Sequence, residues 1–308
     1  MRILLILCVF LNSNAYSQIT YPEKSWIELL QKFTISLGDT QTDTIVEKGV
    51  KRAVPYYNIL GTGVPFYVKY NDRVIPVIVT AKHVLKNNAN KFLDSIRVRL
   101  SSRDDESVYE YLGVQIPLKF EKEVTYFEHP DSTIDLACFP ILTQSHDLDS
   151  IVLVTYKYFP DDYQIFEGAD IYVLGYPGSV GKTYWTRALL RKAIISWVPK
   201  KMDNKKFLID CNVFPGNSGG PVFTKRPDFP VMADTSDYDK IYKFIGIVIE
   251  RRFNYNKVQS LNNGRLNPIK DANGFNVYSA ESIGVGVVEP AKNVLSLLRL
   301  FEQAINKH

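Results

Sequence analysis

Phe214-Pro215-Gly216-Asn217-Ser218-Gly219-Gly220-Pro221-Val222-Phe223 is the stretch on which the reading of this chain turns. A serine that attacks an electrophile needs an exposed oxygen, and backbone N–H groups aimed where negative charge develops. Gly216 can take backbone angles closed to other residues, which turns its N–H toward the same point as that of Ser218. Gly219 and Gly220 remove side chains where the chain must pass closely behind the serine, and Pro221-Val222-Phe223 re-enters a strand. At average residue usage, Gly-x-Ser-Gly-Gly-Pro arises by chance in roughly one chain per few thousand. The alternative is a glycine-rich turn with an idle serine.

Working outward, the flanks are β-like. Val64 to Tyr70, Val74 to Thr80, Ile96 to Leu100, Ile151 to Tyr156, Ile171 to Leu174, Ala193 to Trp197, Phe207 to Ile209 and Ile245 to Ile249 are short runs rich in Val, Ile and Tyr. Gly, Asn, Asp or Pro punctuate them, the signature of an all-β sandwich or barrel. Helical spacing occurs only near the two ends. Trp26, Leu29, Leu30 and Phe33 follow it behind Pro22, and Val294, Leu295, Leu298, Phe301 and Ile305 follow it after Pro290. About 250 residues of short strands predict two β-barrels side by side, the stretch 143–168 crossing between them and a site in their cleft.

A serine alone is a weak nucleophile at neutral pH and needs a base. The chain has four histidines. His83 closes the apolar run Val77-Ile78-Val79-Thr80-Ala81-Lys82-His83-Val84, which would hold its ring on a rigid element. His146 lies in a polar loop, His308 is terminal, and His129, in His129-Pro130-Asp131, reads as a loop or strand-edge residue. The base is assigned to His83. A third group must accept a hydrogen bond from the imidazole. Asp135 interrupts the apolar run of Ile134-Asp135-Leu136-Ala137-Cys138-Phe139, and a buried carboxylate is costly unless paired. Asp131 is its nearest competitor, in a more polar loop.

The chain as a whole sets limits. Its 308 residues are 45% hydrophobic and 23% charged, ordinary globular usage, with a formal net charge of +4. That charge is too weak and scattered to argue for nucleic-acid binding, and Lys200 to Lys206 reads as a solvated hairpin tip. Arg2 and the apolar run Ile3 to Leu11, followed by Ala15 and Ser17, have the form of a signal peptide spanning 1–17. A buried N-terminal strand is the alternative. A soluble exported protein, periplasmic or extracellular, is expected, with no membrane span. Cys138 and Cys211 then remain, each in an apolar run, and are read as unpaired core thiols.

The order His83, Asp135, Ser218 resembles that of the chymotrypsin-like serine peptidases. Thr80-Ala81-Lys82-His83, Asp135-Leu136-Ala137 and Gly216-Asn217-Ser218-Gly219-Gly220-Pro221 resemble that family's three active-site blocks. Gly61-Thr62-Gly63-Val64, Leu174-Gly175-Tyr176-Pro177-Gly178 and Gly284-Val285-Gly286-Val287-Val288-Glu289-Pro290 are similar to segments of its bacterial HtrA/Deg-type branch. The likeness covers about residues 50–308 and implies two six-stranded antiparallel barrels. The expected division is an extension with a short helix over 18–50, a first barrel over 51–158 with His83 and Asp135, and a second over 159–308 with Ser218 and the terminal helix. No PDZ domain is expected after that helix.

The resemblance implies a serine endopeptidase acting on polypeptides through an acyl-enzyme, without metal or cofactor; a monomer is expected. Gly216 and Ser218 would form the oxyanion hole. A substrate strand would pair along Ile247, Val248, Ile249, Glu250 and Arg251, with a primary pocket walled by Asn212, Val213 and Phe214. Asn212 is a neutral wall, which points to a small or medium uncharged residue there unless Glu250 or Arg251 turns inward. Asn217 replaces the aspartate that captures a new N-terminal amine in zymogen-activated members, so activity without that step is expected. Ile249 stands where many members have a serine supporting the aspartate. The stretch 224–243 reads as a long surface loop. A fold of this kind that is catalytically silent and binds a partner, or one that hydrolyses esters, remains the alternative.

Overall fold

The computed structural model describes residues 26–307, apart from 48, 72, 101–112, 122, 142–150, 161–164, 179–186, 202–204, 226–241, 263–264 and 274. The expected signal peptide and the centre of the 224–243 loop lie outside the described residues.

Two β units make the body. In the first, β1 (Ile35–Glu47), β2 (Val50–Tyr70), β3 (Arg73–Ala81), β4 (Ser95–Arg99), β5 (Val114–Pro117), β8 (Phe127–Glu128) and β9 (Leu136–Pro140) form a seven-stranded sheet in the order β5-β4-β1-β2-β3-β9-β8. Between them in sequence, β6 (Lys119–Phe120) and β7 (Glu123–Val124) pair only with each other. In the second, β10 (Asp170–Gly175), β11 (Leu189–Trp197), β12 (Phe207–Asp210), β13 (Pro221–Lys225), β14 (Tyr242–Lys257) and β17 (Tyr278–Pro290) close into a barrel, β10-β11-β12-β17-β14-β13. A small hairpin, β15 (Gln259–Asn262) with β16 (Arg265–Pro268), lies between β14 and β17 in sequence. The protein is all-β with a short helix near each end, as the spacing of its apolar runs predicts.

Side chains alternate across a strand, and the second barrel uses both faces. Ile171, Val173, Val222, Ile245, Val248 and Val288 fill its interior. Leu174, Phe223, Phe244 and Ile247, on the other face of the same strands, belong to the larger core that runs into the first unit with Phe66, Val77, Val79 and Phe139. This double burial is why these strands are apolar at nearly every position rather than at every second one.

The two helices tie the units together. In α1 (Trp26–Lys32), Trp26 stacks on Tyr242 of the second barrel with ring centroids 4.8 Å apart. The second helix, α2 (Ala291–Ile305), leaves the second barrel and packs back on the first sheet through Phe301 against Phe127. Near its C-terminal end, Asn306 and Glu302 accept from the Asn71 and Lys69 N–H groups at the β2–β3 turn.

Three local expectations change. Ile151 to Tyr156 is not a strand: it is irregular chain held against β2 by the Val154 N–H bond to Pro65 O, and it ends in a single helical turn at Tyr156–Tyr158. The span read as an extension contains β1, a full sheet member paired with both β2 and β4. Lys206 is no solvated tip residue, because its Nζ lies 3.2 Å from the carboxylate of the fully buried Glu289.

Candidate active site

β3 and β9 pair with Thr80 opposite Ala137 and Ala81 opposite Leu136, which brings His83 and Asp135 together just beyond the paired ends. The Lys82 N–H donates to Asp135 O at 3.1 Å, and the His83 N–H to Asp135 Oδ1 at 3.2 Å. His83 Nδ1 donates to Asp135 Oδ2 at 2.6 Å. A carboxylate only accepts, so this bond puts an imidazole proton on Nδ1, and in the neutral ring that tautomer has Nε2 as the acceptor. Half of the His83 side chain is exposed. Asp131 is occupied elsewhere: the Thr133 hydroxyl and N–H both donate to it and hold its carboxyl below the usual range. His129 is buried, with Nε2 3.3 Å from Ser296 Oγ, and burial lowers its pKa.

The Ser218 loop shows a regular plan. Its five carbonyls, from residue 214 to residue 218, each accept a hydrogen bond. Asn217 N–H reaches Phe214 O at 3.0 Å, Gly178 N–H reaches Pro215 O at 2.9 Å, and Gly220 N–H reaches Asn217 O at 2.9 Å. The Thr62 hydroxyl reaches Gly216 O at 2.7 Å and the Thr62 N–H reaches Ser218 O at 2.8 Å. Among the described residues, the N–H groups of Gly216 and Ser218 have no such acceptor. Each shares a planar trans peptide with a carbonyl that is held, Pro215 for one and Asn217 for the other, so each is aimed away from its anchor. Gly216 takes φ +95°, and a Cβ there would overlap the Tyr176 carbonyl oxygen. Gly219, at φ +89°, has no room for a Cβ beside Thr62 O and Thr80 Oγ1.

The two halves adjoin at Gly61, where a Cβ would lie 2.5 Å from Val84 and 3.0 Å from Ser218 O. No hydrogen bond joins Ser218 Oγ to His83 among the described residues. Such bonds are often long in a ligand-free site and tighten with substrate.

β14 is sewn to this loop by Gly219 N–H to Val248 O at 2.7 Å and Val248 N–H to Gly220 O at 2.9 Å. Ile247, Val248 and Ile249 bury their side chains, and Ile247 is paired with both Pro221 and Glu289. Neither charged residue that follows is left alone: Glu250 pairs with Arg252 at 3.3 Å, and Arg251 lies over the Phe253 ring at 4.2 Å. The residues expected to wall the pocket do converge. A Cβ on Gly284 would lie 3.4 Å from Asn212 Oδ1, one on Gly286 would lie 2.7 Å from Val213 Cγ2, and Gly286 pairs with Arg251.

The stretch that carries His83, Asp135 and Ser218 matches a known family. The trypsin-like peptidase domain model covers residues 61–228. The chain belongs to that family. No curated protein matches the chain. Among solved structures, the HtrA-type protease AlgW, in a Ser-to-Ala variant with a decapeptide, is similar at 17% identity and a TM-score of 0.45. The match covers 88% of this chain and 64% of that one.

Two residues near this site were given no role from the sequence. Arg191 of β11 donates to Asn212 O and lies over the Phe214 ring at 4.4 Å, so a guanidinium backs the wall that Asn212 was expected to leave neutral. Glu289, fully buried, accepts from the Asp135 N–H at 3.4 Å and from Asn293 Nδ2 at 2.7 Å. It supports Asp135 from the second barrel. Cys138 and Cys211 are both free and buried, and burial raises both thiols' pKa.

Proposed function

We propose that this protein is a serine endopeptidase with His83, Asp135 and Ser218 as its catalytic triad. The observation that carries the reading is the Ser218 loop: every carbonyl from residue 214 to residue 218 is anchored, and among the described residues the Gly216 and Ser218 N–H groups, one on each side of the anchored Gly216–Asn217 peptide, have no acceptor. In the proposed cycle His83 Nε2 takes the Ser218 proton as Oγ adds to the scissile carbonyl. Asp135 holds the imidazole through Nδ1 and stabilises its charged form. The two N–H groups receive the oxyanion, and losing one such donor typically costs about 2.7–4 kcal/mol of barrier. His83 then gives its proton to the leaving amine, and water releases the acyl group from Ser218. The substrate backbone would add as a strand along β14 from Ile249 to Arg251. We further propose export directed by residues 1–17, which the N-terminal sequence of protein recovered outside the cytoplasm would test.

Fluorophosphonate labelling tests the chemistry. Labelling of the wild type that Ser218→Ala abolishes is the expected result, and a wild type that takes no label would overturn the reading. The open Ser218–His83 pair favours the second reading, a silent fold that binds a partner. That reading predicts no label and no cleavage of unfolded casein.

A further inference from the structure

Thr62 lies inside β2, opposite Ser36 of β1 and two residues before Val64, where the pairing with β3 begins, and it is fully buried. The sequence marks its segment, Gly61-Thr62-Gly63-Val64, only by a likeness to the HtrA/Deg-type branch. In the structure its three polar groups are all committed, in four hydrogen bonds. Its N–H donates to Ser218 O at 2.8 Å, and its carbonyl accepts from the Thr80 hydroxyl at 2.6 Å. Its hydroxyl donates to Gly216 O at 2.7 Å and accepts from the Tyr176 N–H at 3.1 Å. One residue of the unit that carries His83 thus grips both sides of the loop that carries Ser218.

The side-chain bond acts at a sensitive place. Gly216 O and the Asn217 N–H belong to one peptide plane. Asn217 N–H is held by Phe214 O, and Gly216 O is held by Thr62. This plane lies between the two planes that carry the free N–H groups. Rotating it changes ψ of Gly216 and φ of Asn217, and so the angle between the two donors. A glycine at φ +95° has little steric resistance to such a rotation. Of the five carbonyl anchors in the loop, this is the one made by a side chain, so it is the one a substitution can remove without touching the backbone.

We infer that Thr62 is a positioning residue for the oxyanion hole: its hydroxyl locks the Gly216–Asn217 peptide so that the Gly216 and Ser218 N–H groups point at one site. The inference rests on the peptidase reading for its effect on rate, but not for its effect on the loop. Thr62→Val keeps the shape and removes both hydroxyl bonds, to Gly216 O and from the Tyr176 N–H, and Thr62→Ser keeps both. Thr62→Ala serves as a second deletion that no packing clash can defeat.

Two readouts separate the possibilities. On fluorescently labelled unfolded casein, Thr62→Val and Thr62→Ala are expected to lose about 10- to 100-fold in kcat, less than the loss of a whole donor. KM should stay within about twofold and Thr62→Ser near wild type. By amide hydrogen exchange, peptides covering residues 212–220 should exchange faster in the Val and Ala variants and not in Ser, while β9 stays protected. A structural role alone would lower stability throughout and would not be rescued by Ser in kcat. Unchanged kcat in an active wild type, or unchanged exchange at 212–220 in both deletions, overturns the inference. A wild type without any activity overturns the peptidase reading alone, and the exchange arm still decides Thr62.

Discussion

Replacing Glu289 by Gln removes a charge from the seam between the two units and little else. Three donors converge on its carboxylate: Asn293 Nδ2 at 2.7 Å, Lys206 Nζ at 3.2 Å and the Asp135 N–H at 3.4 Å. A hydrogen bond to a charged group contributes about 1.5–3 kcal/mol and a neutral one about 1 kcal/mol, so each of the two shorter contacts weakens by about 1 kcal/mol. The Lys206 share is discounted, because its side chain is 38% exposed and water takes over part of the solvation. Asn293 can turn its amide to meet the new NH2 group. The longest contact adds little. The net expectation is a loss of about 1.5 kcal/mol, roughly 3–6 °C in Tm for a domain of this size. The opposing effect is relief from burying an ion, which in some proteins makes the neutral replacement as stable or more so. Urea unfolding of wild type, Glu289→Gln, Lys206→Met and the double variant measures both the loss and the coupling. A Glu289→Gln midpoint equal to or above wild type, or additive single effects, would refute the reasoning that the carboxylate holds the seam.

Other outcomes follow from the same geometry. Asp135→Asn should leave the fold intact and lower kcat by up to about 10⁴-fold, since an amide no longer requires the proton on Nδ1; near wild-type turnover would remove Asp135 from the triad. Gly219→Ala has no room beside the Thr62 and Thr80 oxygens and needs φ +89°, so it should cost more than about 3 kcal/mol and abolish fluorophosphonate labelling. Burial lowers the folded pKa of His129, so below the unfolded value of about 6.5 the unfolded chain binds a proton that the folded one resists. Its share of stability is present above that pH and is lost as pH falls; His129→Gln should flatten the stability profile between pH 7 and 5, and an unchanged slope counts against it. Cys138 and Cys211 are buried with raised pKa values, so peptide mapping should find neither alkylated by iodoacetamide in the native state and both alkylated in guanidinium.

How much was legible in advance differs from residue to residue. The strands over 64–70, 74–80 and 171–174 were plain, because their β-branched runs bury side chains in the first core, the second core or the interface between them. Ile151 to Tyr156 has the same composition but no strand, because its partner is a single bond to Pro65 rather than a free sheet edge. β1 was missed: its outer half, Asp39 to Glu47, is polar and mostly exposed, and only its pairing with β2 makes it a strand. The pairing of His83 with Asp135 was inferred from chain order and an anomalous charge, and the register of β3 with β9 is what realises it.

Local demands were therefore readable from the chain alone. Backbone angles that only glycine adopts without strain mark Gly216 and Gly219, an apolar run interrupted by one carboxylate marks Asp135, and strand composition marks the all-β class. Such signals arise because each constraint acts on a residue and its sequence neighbours. The roles of Thr62, Arg191 and Glu289 are not of that kind. Thr62 lies 154 residues from the glycine it holds, and Glu289 the same distance from Asp135. Hydroxyl, guanidinium and carboxylate are common on any surface, so nothing in their neighbours distinguishes them. Only the closing of the second barrel against the first sheet turns a threonine beside two glycines into an anchor of the Ser218 loop.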